Sequence, residues 1–191
     1  MTEEFRLDPV LHHGRPEDLS GRMDTEIACY DLLDQLDIGY ERIDHDPAAT
    51  IALCHQVEQV LGAPICKNLF LCNRQQTQFY LLLLDGDKVF KTKFLSKQLG
   101  VARLSFADAQ QMETYLRLAP GSASVLGLMN DTEHRVQLVI DQPVLDKPRL
   151  GCHPCINTST LSLATAEVMQ KLLPAISHEA IVVNLPVEEE A

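Results

Sequence analysis

The sequence lacks any run of about 18 apolar residues, so we expect no membrane-spanning helix. The opening stretch MTEEFRLDPV is acidic and has no apolar core of the secretory kind, which predicts a cytoplasmic protein. An excess of positive charge is also missing. The formal net charge is -11 at pH 7, which excludes a general coat for RNA or DNA. The 191 residues, 46% of them hydrophobic, are enough for one domain with a real core.

The six cysteines are irregularly spaced, except for Cys152 and Cys155 in GCHPC. A redox pair needs a helix N-terminus after its first cysteine to lower the thiol pKa, whereas the following INTSTLSL predicts a strand. A zinc site needs a second ligand pair, and the sequence has neither another CxxC nor an HxxxH. We therefore expect no metal and no cofactor. His153 is then the polar group that this segment presents.

Helical and strand patterns alternate along the chain. Helices are predicted at 25–36, 51–61, 92–100, 109–118 and 165–173, with Ser105 and Asp108 as a capping pair for the fourth. Strands are predicted at 40–47, 65–72, 78–85, 102–106, 135–141 and 156–163. This alternation predicts an α/β (α+β) fold, a single domain with a mixed β-sheet flanked by helices. Residues 1–22 are predicted to be an N-terminal extension, 23–175 the domain, and 176–191 a C-terminal tail.

Three elements carry the candidate chemistry. Lys67 and Asn68 interrupt an apolar strand, where a lysine must be paired, snorkel or face a cleft; an edge-strand lysine is the structural alternative. The loop at 120–128, PGSASVLGL, could offer backbone N–H groups to an anion or a developing oxyanion. His153 precedes a proline that restricts its backbone, and a packed loop histidine is its alternative. No nucleophile accompanies them, which suits hydrolysis or binding of a polar ester or carboxyl compound.

One stretch runs against the overall charge. Between residues 88 and 103 there are five basic side chains and no acidic ones, namely Lys88, Lys91, Lys93, Lys97 and Arg103. Such a patch can contact phosphates. A solvated helix face balanced by acidic residues elsewhere is the alternative.

Five motifs together carry a family resemblance. They are KNLFL (67–71), KFLSKQLGVARLSFA (93–107), PGSASVLGL (120–128), LVID (138–141) and GCHPCINTSTLSL (151–163). In this order they resemble the YbaK/EbsC superfamily of freestanding editing domains, which are related to the insertion domain of bacterial prolyl-tRNA synthetase. The ProX (PrdX) branch is the most similar. The resemblance covers roughly residues 24–175.

The resemblance implies a trans-editing aminoacyl-tRNA deacylase that hydrolyses mischarged tRNA-Pro, above all Ala-tRNA-Pro, by attack of a positioned water. It implies catalytic roles for Lys67, Gly121 and His153, and substrate-binding roles for Asn68, Ser122, Ala123, Ser124 and Val125. The basic residues between 88 and 103 become candidate contacts for the tRNA-Pro acceptor end. Prolyl-tRNA synthetase is an implied partner, and DNA is not.

The loop departs from the family pattern at one position. The family generally reads GxxxP there, and Val125 stands where the proline is expected. This departure leaves the rigidity of the loop open. It also keeps open the alternative of a non-catalytic member that binds tRNA or an amino acid and partners the synthetase.

Overall fold

The computed structural model describes residues 5–48 and 50–187, apart from the side chain of Ile51. Nine strands are found there: β1 (His12–His13), β2 (Tyr40–Asp44), β3 (Lys67–Cys72), β4 (Phe79–Leu84), β5 (Ser105–Phe106), β6 (Val136–Asp141), β7 (Arg149–Cys152), β8 (Ser159–Ala164) and β9 (Ala180–Val183). They form an antiparallel sheet, β1-β2-β8-β7, and a mixed sheet, β5-β3-β4-β6-β9. The α+β class is confirmed, although the strands divide into two sheets.

The helices are α1 (Asp24–Gln35), α2 (Ile51–Leu61), α3 (Thr92–Leu99), α4 (Ala109–Leu116), α5 (Gln142–Leu145), α6 (Thr165–Glu167) and α7 (Leu173–Ala175). A π-helical turn, Val168–Leu172, joins α6 to α7, and a 3₁₀ helix spans Val125–Asn130. The predicted capping pair of α4 is corrected. Asp108 caps the helix together with Gln111, whereas Ser105 lies in β5. No helix in the described part of the chain is long and apolar enough to cross a membrane.

The central strand of the mixed sheet, β4, is buried along its whole length. Phe79, Leu81 and Leu83 pack into the main core, which lies between this sheet, α1 and the antiparallel sheet. Tyr80 and Leu82 face the opposite side, where they pack with α3. Both faces are therefore covered, which explains why the strand has no polar alternation in its sequence.

The two sheets meet where the chain at Pro64 and Ile65 passes Gly151. The Gly151 N–H donates to the Pro64 carbonyl at 2.7 Å, and Ile65 forms a parallel bridge with Gly151. A Cβ at residue 151 would lie 2.9 Å from Ile65 Cγ1 and 3.1 Å from the Pro64 oxygen, so only glycine permits this approach. Because the bridge is parallel, Cys66 and Lys67 run alongside Cys152 and His153.

The N-terminal segment is part of this packing. β1 pairs with β2, Leu7 forms a bridge with His45, and the Asp8 N–H donates to the Asp44 carbonyl at 2.9 Å. Leu7, together with Phe5 and Leu11, packs on a small core under α2. The packed structure therefore extends further toward the N-terminus than the predicted boundary at residue 23.

The C-terminal segment also contributes to the sheet. β9 adds to β6 in parallel, and Leu185 is buried beside it. Among the described residues, the packed structure thus continues past residue 175. The predicted acidic end, Glu188 to Glu190, lies outside the described residues.

Arg22 ties the N-terminal segment to β2 and α1. Its guanidinium donates to both Asp44 carboxylate oxygens, at 2.9 and 2.6 Å, and to the buried Glu26 at 2.8 Å. Glu26 also accepts from the Tyr30 hydroxyl at 2.6 Å. Burial alone would raise the pKa of Asp44, but the bonds from Arg22 and Arg42 outweigh it and hold that pKa well below its usual range.

We expect Arg22→Met to lower the free energy of unfolding at pH 7 by about 2–4 kcal/mol, because it leaves the buried Glu26 carboxylate without its cation and Asp44 with Arg42 alone. The native pKa of Asp44 is depressed, so this stabilisation is present above the unfolded pKa of about 4 and is lost as the pH falls below it. Urea unfolding should therefore show a smaller difference at pH 3 than at pH 7. Arg15→Met, which removes exposed pairs with Asp31 and Asp34, is the matched control. Equal losses in the two variants would contradict the prediction.

Candidate active site

A cavity of about 340 Å³ opens beside the contact between the two sheets. The residues predicted from sequence that line it are Lys67, Asn68, Gly121, Ala123 and His153. They come from β3, from the loop before the 3₁₀ helix, and from the end of β7. The structure therefore brings together side chains and backbone from the three elements that the sequence singled out.

Lys67 is a half-buried cation in this cavity. Its ammonium donates to the backbone carbonyl of Lys88 at 2.9 Å. Among residues 5–48 and 50–187, no carboxylate lies within ion-pair distance of it. A carbonyl orients the ammonium without neutralising it, so two N–H bonds and the full charge remain for an anionic or polar ligand.

Asn68 follows Lys67 on the same strand. Its side-chain amide donates to the Cys66 carbonyl at 3.1 Å, which fixes its orientation. Its carbonyl oxygen is buried and has no hydrogen-bond partner in the described structure. An unpartnered acceptor in a cavity wall carries a desolvation cost that a donor on a ligand would relieve.

His153 follows β7 and is held through its Nδ1. That atom lies 2.8 Å from the Ser159 carbonyl oxygen, which only accepts, so Nδ1 carries the proton. Burial lowers the pKa of His153, which favours the neutral imidazole. Nε2 is then an unprotonated acceptor. Within the described residues it has no hydrogen-bond partner.

The loop between α4 and the 3₁₀ helix supplies backbone donors. Gly121 has φ +89°, a conformation that favours glycine, and it lies against the side chain of Asn157. In the described part of the chain, no group accepts a hydrogen bond from the N–H of Gly121 or Ala123. Both residues line the cavity, and backbone amides without a partner are the kind of donor that stabilises a carbonyl oxygen as it gains negative charge.

Three predicted substrate-binding side chains do not reach the cavity. The Ser122 hydroxyl donates to the Ala119 carbonyl at 2.7 Å, and the Ser124 hydroxyl accepts from the Leu126 N–H at 3.2 Å. Val125 is fully buried in the main core. The reason is local: Ser122 closes the turn that begins at Ala119, Ser124 caps the 3₁₀ helix, and Val125 packs into the core. Their part in the site is therefore limited to the position of the loop backbone.

The thiols of GCHPC are packed into the interior. Cys152 and Cys155 are both buried, and burial raises the pKa of Cys152 well above its usual range. The segment continues into a turn and then β8, so no helix dipole acts on either thiol. All six cysteines are free thiols. In the described residues, no three His, Cys, Asp or Glu side chains cluster as metal ligands.

The structure does not place Lys88 where a tRNA contact needs it. Its ammonium is buried, 2.8 Å from Asp141 Oδ2 and 2.6 Å from the Leu185 carbonyl. A lysine in an apolar setting is tolerated when it is paired in this way. The other predicted tRNA contacts are exposed, and their role stays a prediction: Lys91 is the N-cap of α3, Lys93 and Lys97 lie on it, and Arg103 follows it.

Sequence reasoning missed several residues of the cavity. Cys54, His55 and Glu58 line it from α2, and the Glu58 carboxylate raises the pKa of His55. Phe106 stands at the rim with 62% of its surface exposed, edge-on to Phe90. The exposed ring of Phe106 would have indicated a binding surface, but the sequence of so short a strand does not show which of its side chains are exposed.

The model of the aminoacyl-tRNA editing domain family matches residues 45–171. The chain belongs to this family. An editing domain removes an amino acid from tRNA, so the chain is a hydrolase that acts on the ester bond of aminoacyl-tRNA. The redox and zinc alternatives therefore have no support from the family.

Two curated relatives agree with this assignment, and one solved structure shares the fold. The prolyl-tRNA editing protein ProX of Acetoanaerobium sticklandii is 33% identical over 153 residues, which cover 80% of this chain and 93% of ProX. The prolyl-tRNA synthetase associated domain-containing protein 1 of Mus musculus is 29% identical over 157 residues, with 80% and 91% covered. A crystal structure of a candidate trans-editing enzyme for prolyl tRNA synthetase shares the fold, with a TM-score of 0.64, 17% identity and coverage of 87% and 99%.

We expect Val125→Pro to fold and to keep the hydrolytic activity. Val125 is the first residue of the 3₁₀ helix, where a proline needs no N–H partner, and Ser124 before it is already extended at φ -156° and ψ 149°. The change in unfolding free energy should stay within about 1 kcal/mol. Leu126→Pro is the control. It removes an N–H that bonds Ser124 and should be clearly destabilising. A folded but inactive Val125→Pro protein would show that the loop backbone differs from this one.

Proposed function

We propose that the chain hydrolyses mischarged tRNA-Pro in trans, with Ala-tRNA-Pro as its substrate. The observation that carries this proposal is the convergence of a cation, free amides and a neutral histidine in one cavity without an activated nucleophile. Lys67, Gly121 and His153 supply these three features. The prolyl-tRNA editing assignment of the relatives supports the choice of tRNA.

The choice of alanine follows from the limits of size discrimination. A proline pocket admits alanine because alanine is smaller, and a missing methylene changes selection by only about 10- to 200-fold. A second, smaller pocket can then destroy the product that the first pocket let through. The cavity wall here combines apolar side chains such as Ile65, Leu69 and Phe70, which suits a small apolar side chain.

In the proposed reaction, water attacks the ester carbon and the terminal ribose leaves with its hydroxyl restored. Lys67 holds the phosphate or ribose end of the substrate. The amides of Gly121 and Ala123 face the carbonyl oxygen and stabilise the charge that develops on it. His153 bounds the aminoacyl pocket, and its Nε2 accepts a hydrogen bond from the attacking water or from the substrate. No acyl-enzyme forms, since no thiol or hydroxyl in the cavity wall is activated.

The nucleic-acid part of the substrate is the acceptor end of tRNA-Pro. Phe106 offers an exposed ring at the rim, and base stacking on an aromatic ring is independent of sequence. The exposed cations Lys97 and Arg103 are further candidate contacts. The overall charge of -11 fits a protein that touches only one end of the tRNA. We place this activity in the cytoplasm, in association with prolyl-tRNA synthetase.

The proposal is tested by deacylation of a panel of charged tRNA-Pro species. We expect the purified protein to hydrolyse Ala-tRNA-Pro rapidly and to spare Pro-tRNA-Pro, because a second sieve works only if it rejects the cognate amino acid. The rates with Cys- and Ser-tRNA-Pro show whether the same pocket also accepts other small side chains. Release of alanine and proline at equal rates, or of neither, would defeat the proposal.

We expect Lys67→Met to lower kcat/KM for Ala-tRNA-Pro by about 100-fold, the size of a lost electrostatic contact in a site shielded from water. Circular dichroism should remain that of the wild type. Lys171→Met is the control. Lys171 also donates to a backbone carbonyl, that of Asp37 at 2.7 Å, but it is paired with Glu167 and does not line the cavity, so this variant should keep full activity. If both variants keep full activity, Lys67 is only a structural lysine.

A further inference from the structure

The hydrogen bonds behind His153 form a chain that leads away from the cavity. Thr160 Oγ1 lies 3.4 Å from His153 Nδ1 and 2.8 Å from His45 Nε2. His45 Nδ1 in turn lies 2.8 Å from the Asp46 carbonyl oxygen. His45 is buried at the end of β2, with its ring centroid 6.1 Å from that of His153.

The direction of each hydrogen bond in this chain can be assigned by starting from the Asp46 carbonyl, where the chain ends. The Asp46 carbonyl can only accept, so His45 Nδ1 carries a proton. Burial lowers the pKa of His45, against the opposing charges of Asp44 and Asp46, which favours a neutral ring. A neutral ring protonated at Nδ1 accepts at Nε2. The Thr160 hydroxyl must therefore donate to His45.

The direction of the bond from Thr160 to His45 determines whether Thr160 presents a donor or an acceptor to His153 Nδ1. With its proton given to His45, Thr160 turns only lone pairs toward His153 Nδ1, as the Ser159 carbonyl does. Both oxygens then require a proton on Nδ1. Without His45, the Thr160 hydroxyl would be free to rotate and donate to His153 Nδ1. That donation would compete with the 2.8 Å bond from Nδ1 to the Ser159 carbonyl. The other tautomer, which has its proton on Nε2 and no acceptor facing the cavity, would then become populated beside the first.

We propose that His45 and Thr160 are positioning residues that, together with the Ser159 carbonyl, keep His153 in the Nδ1–H tautomer, with the Nε2 lone pair directed into the cavity. His45 acts by withdrawing the Thr160 proton from His153. This inference rests on the proposed function only for its effect on the reaction. The tautomer itself is a property of the free protein.

The test combines variants of both residues. His45→Leu removes the acceptor for the Thr160 hydroxyl, and His45→Gln retains one near the position of Nε2. Thr160→Val, added to His45→Leu, removes the hydroxyl that would otherwise donate to His153. If His45 had only a structural role, adding Thr160→Val to His45→Leu would not restore the tautomer or the activity.

The first measurement is the ¹⁵N NMR spectrum of the histidine side chains in the free protein, with His153→Ala used to assign the His153 signals. We expect the Nδ1–H tautomer in the wild type, in His45→Gln and in the double variant. His45→Leu should show a mixture of tautomers. A wild-type His153 protonated at Nε2, or an unchanged tautomer in His45→Leu, would overturn the inference whatever the activity.

The second measurement is deacylation of Ala-tRNA-Pro. In His45→Leu we expect kcat to fall roughly 3- to 10-fold with little change in KM, the range expected for one redirected hydrogen bond. The double variant should recover to within about twofold of the wild type. A loss in the double variant as large as in His45→Leu would refute the positioning role. An inactive wild type with the expected tautomers would instead count against the proposed function alone.

Discussion

The site depends on one close contact between backbones. Gly151 approaches Pro64 and Ile65 so closely that a methyl group at residue 151 would collide with both. Through this contact two separate sheets present the start of β3 and the end of β7 side by side. Lys67 and His153, far apart in the sequence, become walls of one cavity because the strands that carry them leave this contact in the same direction.

The site obtains its chemistry from protein groups that are left incompletely paired. Lys67 is bonded to a carbonyl rather than a carboxylate, and His153 uses only one of its two nitrogens. A buried lysine outside the cavity is paired differently. The buried Lys88 forms an ion pair with the Asp141 carboxylate and donates to the Leu185 carbonyl. In the proposed function, the difference between the working lysine, Lys67, and the structural lysine, Lys88, is therefore the charge of the acceptor.

Much of the fold was readable from the sequence, because local rules govern the elements concerned. The helix predicted at 51–61 is α2, with Thr50 and Gly62 as its caps, and the apolar run predicted as a strand at 78–85 is the buried strand β4. The sequence could not show that residues near each terminus complete the sheets, since those pairings join distant parts of the chain. It also could not separate Lys88 from the exposed lysines. Its partner, Asp141, is brought to it only by folding.

The N-terminal segment gives the hydrogen-bond chain behind His153 its outer support. The Arg6 N–H donates to the Asp46 carboxylate at 3.0 Å, and the Asp46 N–H donates to the Arg6 carbonyl at 2.8 Å. The backbone carbonyl that ends the chain from His153 is that of Asp46, which is thus held in place by two hydrogen bonds to Arg6. An affinity tag or a fusion partner attached at that end would lie close in sequence to these two hydrogen bonds and could disturb them. The accuracy of proofreading, rather than protein yield, is then the property by which a tagged preparation should be compared with an untagged one.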